Sequence, residues 1–270
     1  MHLLRALRTS SLWLAAALAS QALASPILYY TPSLVSNGLG KPSSSQFTTA
    51  VTNAFGAGNV IEIPTFNNAA DFDDGAALFV NARLGADSLS AAEKSNLFSF
   101  INDGGAVFFI GDHSGWTTWD DSFLNLFGDS FLHWNGVNAA SLVTGNAPAQ
   151  FASAGQVLLS APGAIAGGNG KKLYTVFGNG GGRAMSALYG PEDNAIAFLD
   201  TSALSGNTAS HLAFYSGLSS WLFETASAYE LSKQPVVTPP SGNTVPDSMP
   251  VLAIAPVLFG FAWFRRRVRI

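Results

Sequence analysis

The chain has 270 residues, a formal net charge of −4 and no cysteine. The lack of cysteine excludes disulfides, thiolate metal sites and a cysteine nucleophile. Residues 25–244 hold 7 of the 13 Lys and Arg residues and 16 of the 17 Asp and Glu residues, so their net charge is −9. An acidic body without a basic patch argues against nucleic acid as a partner.

The first 24 residues have the pattern of a secretory signal peptide. Basic residues precede an apolar run over 11–19, and Ala22 and Ala24 form an A-x-A cleavage motif. We therefore expect export through the Sec translocon and a mature chain that begins near Ser25.

The residues that follow alternate between short apolar runs and amphipathic segments. A helix is predicted over 45–55, because Phe47, Val51 and Phe55 recur on one stripe. The predicted strands around this helix cover 27–31, 59–63 and 76–81. The acidic residues 71–74 are interpreted as a solvated loop.

The clearest unit of local signals lies between residues 88 and 128. Ser90 and Glu93 form a capping box, which predicts the start of a helix. That helix ends at Gly104, and the continuous apolar run over 106–110 is typical of a central parallel strand. A second helix is predicted over 119–127.

The second half has weaker signals. It contains predicted strands over 156–159, 173–177 and 195–200, Gly-rich turns over 163–170 and 178–183, and a last helix over 210–224. Strands that alternate with helices indicate an α/β fold, a three-layer sandwich with a mainly parallel central sheet of flavodoxin-like type. We assign residues 25–233 to this domain.

Residues 88–127 resemble the class I glutamine-amidotransferase-like superfamily, above all its DUF4350 and ThuA-like branches. The resemblance is carried, in chain order, by Leu89-Ser90, Gly104-Gly105, 106–110, Gly111-Asp112 and Asn125-Leu126, and later by Asp200-Thr201-Ser202 and Ser220-Trp221-Leu222. It implies an amidotransferase-like fold. The superfamily's true amidotransferases use a cysteine nucleophile, so Cys-dependent glutamine hydrolysis is excluded here.

Polar residues follow two of the predicted strands and form the candidate site. Ligands of such folds bind beyond the carboxyl ends of the strands. Asp112 could orient His113 as a general base, with Ser202 as a nearby hydroxyl, and these three residues are the candidate catalytic set. In the alternative interpretation, Asp112 caps a turn, His113 is simply exposed and Asp200 closes its strand in a Ser/Thr turn.

No cofactor or metal is predicted. His133 and His211 are scattered along the chain and do not form a metal-ligand motif with Asp112 and His113. The Gly-rich runs do not match the phosphate-loop motif. Trp116, Trp119 and Trp134 are interpreted either as core residues or as an aromatic platform for sugars.

Two segments follow the body. Residues 234–244 are a Pro/Ser/Thr-rich linker, expected to be extended. The segment 245–270 begins with Val245, Pro246, Asp247 and Ser248 and ends in a cluster that contains Arg265, Arg266 and Arg267. At about 1.5 Å per residue, the apolar run over 249–264 spans roughly 24 Å, less than the ~30 Å hydrocarbon core. A plain membrane anchor is the alternative interpretation.

This tail resembles the PEP-CTERM sorting signal in its VPDSG variant, with Met249 where that variant has glycine. The resemblance implies cleavage by an exosortase at the inner membrane of a Gram-negative bacterium, with only transient membrane insertion. We expect an extracellular or cell-surface protein with a non-catalytic α/β domain that binds a ligand, with exopolysaccharide as a candidate partner. The alternatives are a hydrolase-like enzyme that uses Asp112 and His113, and a structural matrix protein.

Overall fold

A computed structural model describes residues 25–134, 139–176 and 182–235. The chain divides into two units, residues 1–233 and 234–270, and every helix and strand described belongs to the first. The strands are β1 Leu28–Tyr30, β2 Val60–Glu62, β3 Ala77–Val80, β4 Ala106–Ile110, β5 Ser130–Leu132, β6 Ala139–Leu142, β7 Gln156–Leu158, β8 Ala164–Ala166, β9 Lys171–Val176, β10 Arg183–Tyr189 and β11 Ala195–Phe198. The α-helices are α1 Ser45–Phe55, α2 Ala91–Asn102, α3 Thr117–Leu124 and α4 Ala209–Lys233.

The first half of the sheet is parallel and has helices on both faces. Its strands lie in the order β2-β1-β3-β4-β11. Along β4 the side chains alternate: Phe108 and Ile110 face the core shared with α1 and α4, whereas Val107 and Phe109 face the core shared with α2 and α3. All five residues of β4 are buried, as expected for a strand covered on both sides.

The second half of the sheet corrects the prediction of a mainly parallel sheet. Strands β10, β9, β6 and β7 continue the order beyond β11, and each pairs antiparallel with its neighbour. Parallel neighbours need long crossovers, whereas β10 and β11 are joined by a short turn. The sheet is therefore mixed, with one parallel and one antiparallel half.

Local signals located the helices well at their beginnings. Helix α1 has the predicted bounds, and the Ser90–Glu93 capping box at the start of α2 is confirmed. Helix α3 begins two residues early and gives way to a 3₁₀ turn over Asn125–Phe127, while α4 continues to Lys233.

Several predictions fall outside the described residues. They concern the signal peptide over 1–24 and the linker and sorting segment from 236 onward. Among the helices that the structure describes, none is both long and apolar enough to cross a membrane.

Candidate functional site

The two predicted polar strand ends meet at one edge of the sheet. Strands β4 and β11 are parallel neighbours, with Phe198 opposite Ile110, so the residues after each strand lie side by side. The Thr201 hydroxyl donates a hydrogen bond to Asp112 Oδ2 at 2.7 Å and thereby joins the two strand ends.

The Asp112 carboxyl is buried and bonded within the protein. Its Oδ1 accepts a hydrogen bond from the backbone N–H of His113 at 2.9 Å, and its Oδ2 accepts the Thr201 bond. Burial raises the pKa of Asp112, and the nearby charge of Asp200 raises it further, while the Thr201 bond opposes the shift.

Within the part of the chain that the structure describes, the His113 imidazole makes no hydrogen bond to the carboxylate of Asp112. Its Nδ1 accepts a hydrogen bond from the N–H of Gly115 at 3.1 Å and so caps the 3₁₀ turn Ser114–Trp116. The ring lies edge-on to Trp116, with centroids 4.8 Å apart. Among the described residues, no hydrogen bond between two side chains joins Asp112, His113 and Ser202 to one another.

Asp200 is the most connected group of this edge and is only 1% exposed. Its Oδ1 accepts bonds from the N–H and the hydroxyl of Ser202, at 2.8 and 2.5 Å. Its Oδ2 accepts bonds from the N–H groups of Ser160 and Ala161, at 3.0 and 3.2 Å. Burial raises the pKa of Asp200, although these four bonds favour the charged form.

A segment that the sequence did not reveal covers the edge. Residues 159–163 connect β7 to β8, and the N–H of Gly163 donates to the carbonyl of Leu199 at 2.8 Å. A Cβ at Gly163 would lie 2.7 Å from the carbonyl oxygen of Asp112. The covering segment therefore lies directly against the ends of β4 and β11.

A second carboxyl lies behind Asp112. Asp120 is fully buried, and its Oδ1 accepts a bond from the N–H of Asp112 at 3.2 Å. Its Oδ2 has no hydrogen-bond partner among the described residues. Burial raises the pKa of Asp120 well above its usual range, because the charged form is poorly solvated there. No sequence signal marked this residue, since its position on α3 is typical of an exposed acid.

His211 also belongs to this edge and is buried at the start of α4. Its Nδ1 lies 2.8 Å from the Thr208 hydroxyl. Burial lowers the pKa of His211, opposed by a bond to the carbonyl of Leu158 and by the charge of Asp200. In the described part of the chain, no three His, Asp or Glu side chains converge to hold a metal ion.

The three tryptophans have different environments. Trp119 is fully buried, stacks on Phe109 and donates to the carbonyl of Ile110, so it belongs to the core. Trp116 is half-buried beside His113, and Trp134 lies under the guanidinium of Arg183, 4.5 Å from its ring centroid. They do not form one platform.

Comparison with known proteins shows the fold but no family. No family model matches the chain, and no curated protein matches it in sequence. The chain is similar to the solved mmIFT52 N-terminal domain, with a TM-score of 0.55, 8% identity, and coverage of 73% of this chain and 97% of that chain. At this identity the likeness concerns the fold alone.

Distant structural neighbours include ThuA-like proteins. One is from Bacteroides uniformis ATCC 8492, with a TM-score of 0.43, 14% identity and coverage of 79% of this chain and 94% of that chain. Another is from Parabacteroides merdae ATCC 43184, with a TM-score of 0.40, 13% identity and coverage of 78% and 93%. Neither likeness bears on activity.

Proposed function

We propose that the chain is an exported surface or matrix protein whose α/β domain, a diverged amidotransferase-like domain, binds polysaccharide without catalysis. One observation supports the non-catalytic part above all. The carboxylates at the ends of β4 and β11 accept hydrogen bonds from the protein's own backbone and hydroxyl groups. A general base needs a lone pair directed at its substrate.

The arrangement of Ser202 agrees with this proposal. Its hydroxyl donates to Asp200 and accepts a bond from the N–H of Ser160 at 2.9 Å. A nucleophilic serine needs a base that takes its proton, usually a histidine. Ser202 is instead bonded to a carboxyl that also holds the covering segment.

Binding is tested with the full chain purified in mild detergent. We expect it to sediment with a purified exopolysaccharide and to be retarded in native gels that contain soluble polysaccharide. Passage through every such gel at the rate of an unrelated acidic protein would refute the binding function.

Export and sorting rest on the patterns at the two ends of the sequence. The test is to express the chain with and without an exosortase and to measure the mass of the product. We expect loss of the Arg cluster only when the exosortase is present. An intact C-terminus in both cases would identify the tail as an ordinary anchor.

A hydrolase remains the second candidate, favoured by the raised pKa of Asp112. A raised carboxyl pKa is common where a protein uses an acid or base. In this case, ester or glycoside hydrolysis should be detectable and should disappear in Asp112→Asn. The proposed function predicts no turnover above that of the variant.

A further inference from the structure

A pocket lies at the other end of β11 from Asp200. It has a volume of about 430 Å³, within the range of about 300–1,000 Å³ typical of small-molecule sites. Helix α2, the 3₁₀ turn that follows α3, the start of β9 and the turn between β10 and β11 form its walls. We call it the Phe98 pocket, after the exposed aromatic side chain that lines it.

The floor of the Phe98 pocket is aromatic. Phe98 is 41% exposed and packs against Phe127, with centroids 6.1 Å apart. Phe127 in turn stacks on Tyr189 at 4.5 Å, with the ring planes 22° apart. A large apolar side chain exposed in a concave site indicates a ligand with an apolar face.

The rim of the pocket is polar and electrically balanced. The side-chain amides of Asn102 and Asn169 line it, and among the described residues neither is engaged in a hydrogen bond. The ammonium group of Lys171 pairs with Asp193 at 2.7 Å. The rim thus offers donors and acceptors but no net charge, which suits a neutral, hydroxyl-rich ligand.

A buried carboxylate holds this rim in place. Asp129 is 1% exposed, and it accepts bonds from the N–H groups of Gly168, Asn169 and Gly170, each at 2.9 Å. It also accepts a bond from the Tyr189 hydroxyl at 2.9 Å. The Gly-rich turn therefore surrounds an internal anion, and Asp129 fixes both Asn169 and the aromatic floor.

Two backbone features constrain the Gly-rich turn around Asp129 and the opposite rim of the pocket. A Cβ at Gly170 would lie 2.5 Å from the ring of Tyr189, so only glycine allows this approach. Across the pocket, Asp193 has a φ of 53°, a conformation that few residues other than glycine adopt. The turn that presents Asp193 to Lys171 is anchored by Asn194, which donates to the carbonyls of Ile101 and Gly105.

From these features we infer that the Phe98 pocket is the polysaccharide-binding site and that it takes neutral sugar units. The inference rests on the proposed binding function and specifies its location and ligand class. The C–H face of a pyranose ring would lie on Phe98 and Phe127, while its hydroxyls would bond to the amides and the Lys171–Asp193 pair. Repulsion by the acidic body, net −9 over residues 25–244, disfavours polyanions.

The test is native gel electrophoresis of the full chain through a neutral β-glucan, a neutral xylan and the anionic polysaccharide alginate. Phe98→Ala and Asn169→Ala remove the floor and one rim amide. Leu212→Ala is the matched control, since Leu212 is 47% exposed on α4, outside the pocket. We expect retardation of the wild type and the control by a neutral glycan, and about tenfold weaker binding in Phe98→Ala, as for a truncated aromatic anchor.

The outcomes separate the site from the function. If the wild type and both pocket variants bind equally, the pocket assignment is wrong while polysaccharide binding stands. If the wild type binds alginate alone, the neutral ligand class is wrong. If it binds none of the three, both the pocket assignment and the proposed function are overturned.

Discussion

Replacement of Asp200 by alanine should destabilise the fold by about 3 kcal/mol. The carboxyl accepts four hydrogen bonds, two from Ser202 and one each from Ser160 and Ala161. In the variant, Ser160 keeps the Ser202 hydroxyl as an acceptor, but the N–H groups of Ala161 and Ser202 lose theirs. A buried donor left unsatisfied costs about 1–3 kcal/mol. For each of these two N–H groups we take the lower half of that range, because Ala161 is exposed and because burial disfavours the charged form of Asp200.

The control is Ser202→Ala, which removes one neutral hydroxyl and should cost about 1 kcal/mol. Urea unfolding followed by circular dichroism gives both values, provided the slope against denaturant is unchanged. Groups kept for catalysis often reduce stability, so their removal leaves the fold unchanged or stabilises it. An Asp200→Ala protein as stable as the wild type would therefore contradict the structural role of this carboxyl.

Three further predictions concern stability. The pKa of Asp120 is raised in the folded state. The contribution of Asp120 to the stability of the fold is therefore fully present below the pKa of about 3.9 that an aspartate has in the unfolded chain, and it is lost as the pH rises through the raised pKa of the folded state. The stability of Asp120→Asn relative to the wild type should therefore increase between pH 4 and pH 7, and a constant difference in urea midpoints would contradict this. Gly163→Ala should cost about 2 kcal/mol or more by thermal unfolding, because its Cβ would meet a backbone carbonyl and the ring of Phe131, whereas Gly155→Ala, with open space, should stay within about 1 kcal/mol. Ser90→Ala should cost about 1 kcal/mol, measured by urea unfolding, because it removes the N-cap of α2, and an unchanged midpoint would show that the capping box is dispensable.

Local sequence signals predicted the parallel half of the fold because each lies within one element. The stripe in α1, the capping box of α2 and the apolar run of β4 need no distant partner to be recognised. Strand β10 was missed, although six of its seven residues are buried, because its Ala-Met-Ser-Ala sequence lacks the β-branched residues that mark strands. Its place between β11 and β9 depends on pairings that periodicity does not encode.

The candidate site shows the same division between local and distant information. Asp112 meets the end of β11 because β4 and β11 are parallel neighbours, and the sequence left that adjacency open. The partners of Asp200 in the covering segment are about 40 residues away along the chain, and so are the amides that surround Asp129. The sequence marks residues 163–170 only as a Gly-rich turn and does not show that its N–H groups surround the protein's own carboxyl at Asp129.

The two ends of β11 should consequently separate stability from binding. At the Asp200 end, a ligand would have to break bonds that the protein already makes, so little free energy would be gained. At the Phe98 pocket, the buried bonds of Asp129 stay intact while exposed rings and amides gain new partners. Asp200→Ala should therefore lower the free energy of unfolding without changing glycan affinity in conditions where the protein stays folded. Phe98→Ala should lower glycan affinity without changing the free energy of unfolding. Urea unfolding and gel retardation, measured on both variants, test this prediction. A glycan affinity that is lowered by Asp200→Ala but not by Phe98→Ala would place the binding site at the carboxyl ends of the strands.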